Sequence, residues 1–198
     1  MSKIGLFGGT FDPIHKGHTQ IAEIVLEKME LDRIIFIPAG DPPHKVDKKI
    51  TDKTDRFNMV KIATSYNSAF VVSDYEIKKD AKSYSVDLIK YFKNEYADDE
   101  LYFIIGGDSL YNLPTWYHYE ELMGLCNFIV ISRPQVENKN LFDKFSGDEK
   151  PPRIFFVGDV SIPVSATEIR EKMKDGKDVK NFLTEAVYNY ITINELYK

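Results

Sequence analysis

The residues best equipped for chemistry fall in two short runs. The first is Gly8-Gly9-Thr10-Phe11-Asp12-Pro13-Ile14-His15-Lys16-Gly17-His18. Its adjacent glycines let the backbone approach a ligand closely, and Gly17 offers the same where the run ends. If a helix starts there, its unpaired N–H groups and positive dipole end suit a phosphate, to which His15 and His18 add imidazole donors. The spacing matches neither a P-loop nor a G-x-G-x-x-G fingerprint. Taken alone, Gly-Gly with Asp-Pro is a turn, and a single histidine is as often structural as functional. Metal ligation is the other alternative, yet only His44 and His118 remain as further histidines, so a zinc site would lean on distant carboxylates. Two glycines and two histidines gathered in one turn favour phosphate.

The second run is Val164-Ser165-Ala166-Thr167-Glu168-Ile169-Arg170. Ser165 followed three residues later by Glu168 is a capping box that opens a helix. Capping leaves Thr167 and Arg170 unexplained; they are three apart and share one helical face. Hydroxyls and an arginine at a helix start make a second anion site, and arginine can grip phosphate with two parallel bonds.

These runs need elements to position them. Lys3–Phe7, Arg33–Pro38, Phe70–Asp74, Leu101–Ile105, Asn127–Ser132 and Arg153–Val157 each read as strands. Most are continuously apolar, as expected of strands covered on both faces of a parallel sheet. Between the first two, His18–Glu30 places Ile21, Ala22, Val25, Leu26 and Met29 on one helical face. Helices are predicted also at Asp55–Tyr66, Tyr84–Tyr96, Tyr117–Leu125, Ala166–Lys174 and Val179–Leu196. This alternation predicts an α/β fold: a Rossmann-like, open, doubly wound and mostly parallel sheet with helices on both faces. The 198 residues are expected to form one domain, whose helical part from about 164 to 198 completes the phosphate site. Ligands in such folds sit at the carboxyl ends of the strands.

The net charge of −5 argues against general binding of nucleic acid or anionic membrane. No apolar run approaches the roughly 18 residues that span a bilayer. Cys126 is the only cysteine, which precludes an internal disulfide and suggests a reducing cytoplasm. A homo-oligomer is compatible with all of this.

The His-Lys-Gly-His core within Gly8–His18 resembles the signature of the HxGH nucleotidyltransferase superfamily. Within that superfamily the chain is similar, over essentially its whole length, to the bacterial nicotinate-nucleotide adenylyltransferases. The resemblance makes Val164–Arg170 the family's clamp on the ATP phosphates, with Ser165, Thr167 and Arg170 in place and Ala166 where a second serine is common. It implies a role for Lys45, in Pro42-Pro43-His44-Lys45, near the mononucleotide and phosphates; by itself that loop is a stiff turn with an exposed lysine. Ser83-Tyr84-Ser85 could simply cap a helix, whereas the resemblance makes it the element that recognises the nicotinate carboxylate, with Ser85 where threonine is usual. Lys79 stands where arginine is common. A lone Trp116 in a loop is more often packing than platform; the resemblance instead stacks it on the pyridine ring, with the Tyr117 backbone holding the carboxylate. Asp108 in Ile105-Gly106-Gly107-Asp108 caps a short helix or meets ribose hydroxyls, and the family's IGxD element, here Gly106 and Asp108, contacts nucleotide. Arg133 is a further candidate beside adenine or the phosphates. Asp55 is as well read as a helix cap as a ligand contact, and Arg56 has no assigned role.

The resemblance implies transfer of AMP from ATP to nicotinate mononucleotide, with nicotinate adenine dinucleotide and pyrophosphate as products. His15, His18 and Arg170 would be the catalytic side chains. Gly8, Gly9, Thr10, Gly106, Asp108, Arg133, Ser165 and Thr167 would meet ATP, and Lys45, Tyr84, Ser85, Trp116 and Tyr117 the mononucleotide. Magnesium would arrive with ATP, without dedicated protein ligands. Such a displacement needs alignment and charge neutralisation rather than a protein nucleophile, and there is no G-x-S-x-G elbow. The rivals are the same chemistry on nicotinamide mononucleotide or phosphopantetheine, and a non-catalytic nucleotide-binding regulator.

Overall fold

The computed structural model describes residues 1–41, 50–79, 82, 84–131, 153–158 and 163–198. Lys45, Ser83 and Arg133 therefore lie outside the described residues.

Among the described residues six strands, β1 (Lys3–Gly9), β2 (Arg33–Pro38), β3 (Phe70–Val72), β4 (Glu100–Gly106), β5 (Asn127–Ile131) and β6 (Ile154–Val157), form one sheet. Its order is β3-β2-β1-β4-β5-β6 and every pairing is parallel, so the expected mostly parallel sheet is wholly parallel among the described residues. The strands are apolar throughout because alternate residues enter two separate cores. Phe7, Ile34, Phe36, Tyr102, Ile104 and Ile129 face one. Ile4, Leu6, Ile35, Ile37, Leu101, Phe103, Ile105, Phe128 and Val130 face the other.

The first core is covered by α1 (Lys16–Lys28), α2 (Lys53–Thr64), α6 (Ala166–Lys174) and α7 (Glu185–Ile193). The second is covered by α3 (Ser85–Glu95), α4 (Gly107–Asn112) and α5 (Tyr119–Met123). Ile21, Ala22, Val25, Leu26 and Met29 all pack into the first core, as their spacing predicts. The C-terminal helices bring Ile169, Val187 and Ile191 into that same core. Among the described residues no helix is long and apolar enough to cross a membrane.

Element ends differ from expectation where caps and pairing decide them. β1 runs past Phe7 through Gly8 and Gly9, because their backbones pair with Ile37 and Pro38. α2 begins at Lys53 because the Asp52 carboxylate accepts the Thr54 N–H at 2.8 Å, so Asp55 is not the cap. The last helix begins at Glu185 rather than Val179, since the Thr184 hydroxyl accepts the Val187 N–H.

The chain builds β1, β2 and β3 outward in one direction, then returns to the other side of β1 for β4, β5 and β6. The crevice between the carboxyl ends of β1 and β4 is therefore the switch point at which such sheets bind ligands.

Candidate active site

Gly9 is a glycine for a steric reason. A Cβ built there would lie 2.8 Å from the Phe11 ring, which folds beneath the loop with Phe11 in the left-handed region (φ 49°). Phe11 in turn meets the His18 ring edge-on, centroids 5.0 Å apart. His15 is the N-cap of α1, and its N–H donates to Nδ1 of His18 at 3.2 Å. The two imidazoles stack 3.7 Å apart. With Nδ1 of His18 accepting, the proton of its neutral ring sits on Nε2, available as a donor.

Burial pulls His15 from 6.5 to about 4, and it holds His18 well below its ordinary value, with the charge of His15 adding to the effect. Both rings are thus neutral donors at neutral pH. Nδ1 of His15 is buried with no hydrogen-bond partner among the described residues. A triphosphate alongside would favour protonation and supply an acceptor. Gly17, by contrast, is buried in the first turn of α1 and offers no open approach.

Across the loop, Nη1 of Arg170 donates to the Asp12 carbonyl at 2.6 Å and Nη2 to Oγ1 of Thr167 at 3.2 Å. Arg170 of α6 is thereby tied to Asp12, in the loop that leads into the histidine turn. Ser165 caps α6 by accepting the Glu168 N–H at 3.1 Å, while Glu168 turns to Lys172 rather than closing a reciprocal box.

The loop itself is held from below by Arg56, which is 1% exposed. Its Nε donates to the Thr51 carbonyl (2.9 Å), Nη1 to Thr10 (2.7 Å) and Nη2 to Gly40 (3.1 Å). Arg56 thus ties the loop after β1 to the loop after β2. Burial lowers its pKa, partly offset by the Asp12 carboxylate. Asp55, for its part, accepts the Tyr190 hydroxyl at 2.8 Å, which makes it a tether to α7 and not a cap.

A cavity opens at the carboxyl ends of β1, β2 and β4, lined by Gly8, Gly9, Gly106, Tyr84, Ser85 and Trp116 among others. It lies at the switch point. Half-buried Trp116 rests edge-on against Phe103 and lines one wall of the cavity. Tyr84 is the N-cap of α3 without a side-chain capping bond, so it and Ser85 are not there to cap. Tyr117 is exposed beside Tyr84, their rings 4.6 Å apart. A Cβ on Gly106 would meet nothing within 4 Å, leaving open space at the tip of β4. Asp108 lies exposed in the first turn of α4, whose N-cap is Gly106, so it does not cap that helix.

Ser109 and Glu76 also line the cavity. Ser109 could have been taken from the Gly106-Gly107-Asp108 run. Glu76, almost wholly buried, has Lys79 at 3.6 Å; nothing in the sequence around it pointed to the cavity. Cys126 is no nucleophile, since burial pushes its thiol up to about 12.

Known proteins are similar to this chain in sequence and fold. The cytidylyltransferase-like family model matches residues 6–172. A Clostridium tetani protein named "probable nicotinate-nucleotide adenylyltransferase" is 44% identical, with all of both chains aligned. The chain belongs to the nicotinate-nucleotide adenylyltransferase family. A family member of the same name from Thermoanaerobacter is 42% identical over 99% of this chain and 94% of its own. The adenylyltransferase fold extends further: nicotinic acid mononucleotide adenylyltransferase of Plasmodium falciparum, complexed with NaAD, superposes with a TM-score of 0.84 at 22% identity. That alignment covers 100% of this chain and 98% of the other.

Proposed function

We propose that this protein transfers AMP from ATP to nicotinate mononucleotide, yielding nicotinate adenine dinucleotide and pyrophosphate. One observation carries the reading: Arg170 bonds Asp12, in the loop that joins the aromatic cavity of Tyr84, Ser85 and Trp116 to the stacked His15 and His18. Family membership adds the reaction class.

In the step, a phosphate oxygen of the mononucleotide attacks the ATP α-phosphorus as the bond to the β-phosphate oxygen breaks, and pyrophosphate leaves with that electron pair. The nucleophile is already anionic, so no general base is needed. The protein aligns the two phosphates and neutralises the charge that spreads over them. His15 and His18 supply N–H donors, Arg170 its guanidinium, and Thr10, Ser165 and Thr167 hydroxyls. Gly106 leaves the tip of β4 uncovered, Gly8 and Gly9 line the cavity with backbone, and Asp108 would meet a ribose hydroxyl. Trp116 offers a face for the pyridine ring, with Ser85, Tyr84 and the Tyr117 backbone toward the carboxylate. Magnesium enters with ATP as part of that substrate. We place the reaction in the cytoplasm, in keeping with a single cysteine.

The deciding measurement is pyrophosphate release with ATP and either nicotinate or nicotinamide mononucleotide. Faster turnover of the acid is expected. Preference for the amide would move the protein to the rival acceptor, and ATP binding without release of pyrophosphate from either would make it a regulator.

A further inference from the structure

Asp12 is 4% exposed, and different partners hold its polar groups. Its carbonyl accepts Nη1 of Arg170. Its Oδ1 accepts the hydroxyl of Tyr197 at 2.7 Å, across 185 residues of sequence. Its Oδ2 stands 3.9 Å from the same Arg170 nitrogen. A second cation near Asp12, Arg56, is committed to three backbone carbonyls.

A carboxylate and a guanidinium this close would ordinarily close into a two-point pair, which uses the same fork that a phosphate needs. Here the pair is not closed, because the phenol has taken one carboxylate oxygen. Arg170 is left with one bond to a carbonyl and one to Thr167, and its other N–H groups are uncommitted among the described residues. Tyr197 reaches this position through a left-handed backbone (φ 64°) that turns the chain back after α7.

We propose that Tyr197 is a positioning residue for the triphosphate: its hydroxyl holds the Asp12 carboxylate off Arg170 and so keeps the guanidinium open to ATP. This rests on Arg170 gripping the ATP phosphates. Removing the hydroxyl frees the carboxylate to close on Arg170, and ATP must then compete with it.

The test is Tyr197→Phe, with calorimetric binding of α,β-methylene ATP and of nicotinate mononucleotide to the full chain. Affinity for the ATP analogue should fall on the order of tenfold, the equivalent of one charge-assisted contact, with mononucleotide affinity unchanged. Adding Asp12→Asn to Tyr197→Phe should restore most of the loss, since an amide cannot form the ion pair. A purely structural role for Tyr197 would weaken both ligands alike, with no repair by Asp12→Asn, and either result overturns the proposal. So does unchanged analogue affinity in Tyr197→Phe. Wild-type protein that fails to bind the analogue would overturn the ATP reading itself, a separate outcome.

Discussion

His18 shows how one side chain gains a defined task from its neighbours. The His15 N–H occupies Nδ1, so Nε2 alone is left to donate. A single well-aimed donor to developing phosphate charge is worth about 10²–10³ in rate. His18→Ala is therefore expected to lose that much turnover while keeping its fold, read by pyrophosphate release beside circular dichroism. Normal turnover in the folded variant would remove His18 from the mechanism. Its neighbour in the loop, Asp12, looks from sequence like half of an Asp-Pro turn; in the fold it is where Arg170 and Tyr197 meet.

At the scale of elements, the loops after β1 and β2 do not hold themselves. Arg56, on α2, gathers the carbonyls of Thr10, Gly40 and Thr51. Each carbonyl left orphaned in a buried place costs about 1–3 kcal/mol. Arg56→Met should lower stability by about 3 kcal/mol or more, measured as a shift in the urea midpoint, and should cut activity beyond that loss because both loops border the site. An unchanged midpoint would mean the carbonyls find water instead. The strands themselves were legible because burial on both faces leaves a continuous apolar run. Two helix starts were less so: caps at Asp52 and Thr184 set them away from the expected Asp55 and Val179.

For the molecule as a whole, the buried histidines tie stability to pH. The unfolded chain takes up protons near pH 6.5, whereas folded His15 refuses them until about pH 4 and His18 is held low as well. In that window the unfolded state binds more protons, so stability falls as pH falls, by up to about 1.4 kcal/mol per pH unit for each histidine. Thermal midpoints between pH 7 and 4 should decline more steeply for the wild type than for His15→Asn. Parallel slopes would show that the site does not exclude protons. The net charge of −5 belongs to the surface; the site gathers Arg170, Arg56 and two neutral imidazoles around one buried carboxylate.

The strands, the parallel α/β class and the helix that Ser165 opens could all be read from residue order, because each depends on local spacing: apolar runs, cap residues and helical faces. Residue order did not contain the sheet order, Arg56 beneath the loop, Glu76 in the cavity wall or Tyr197 on Asp12. Those are contacts between segments far apart in the chain, and a side chain acquires such a partner only when packing two cores against one sheet has set where each loop must end.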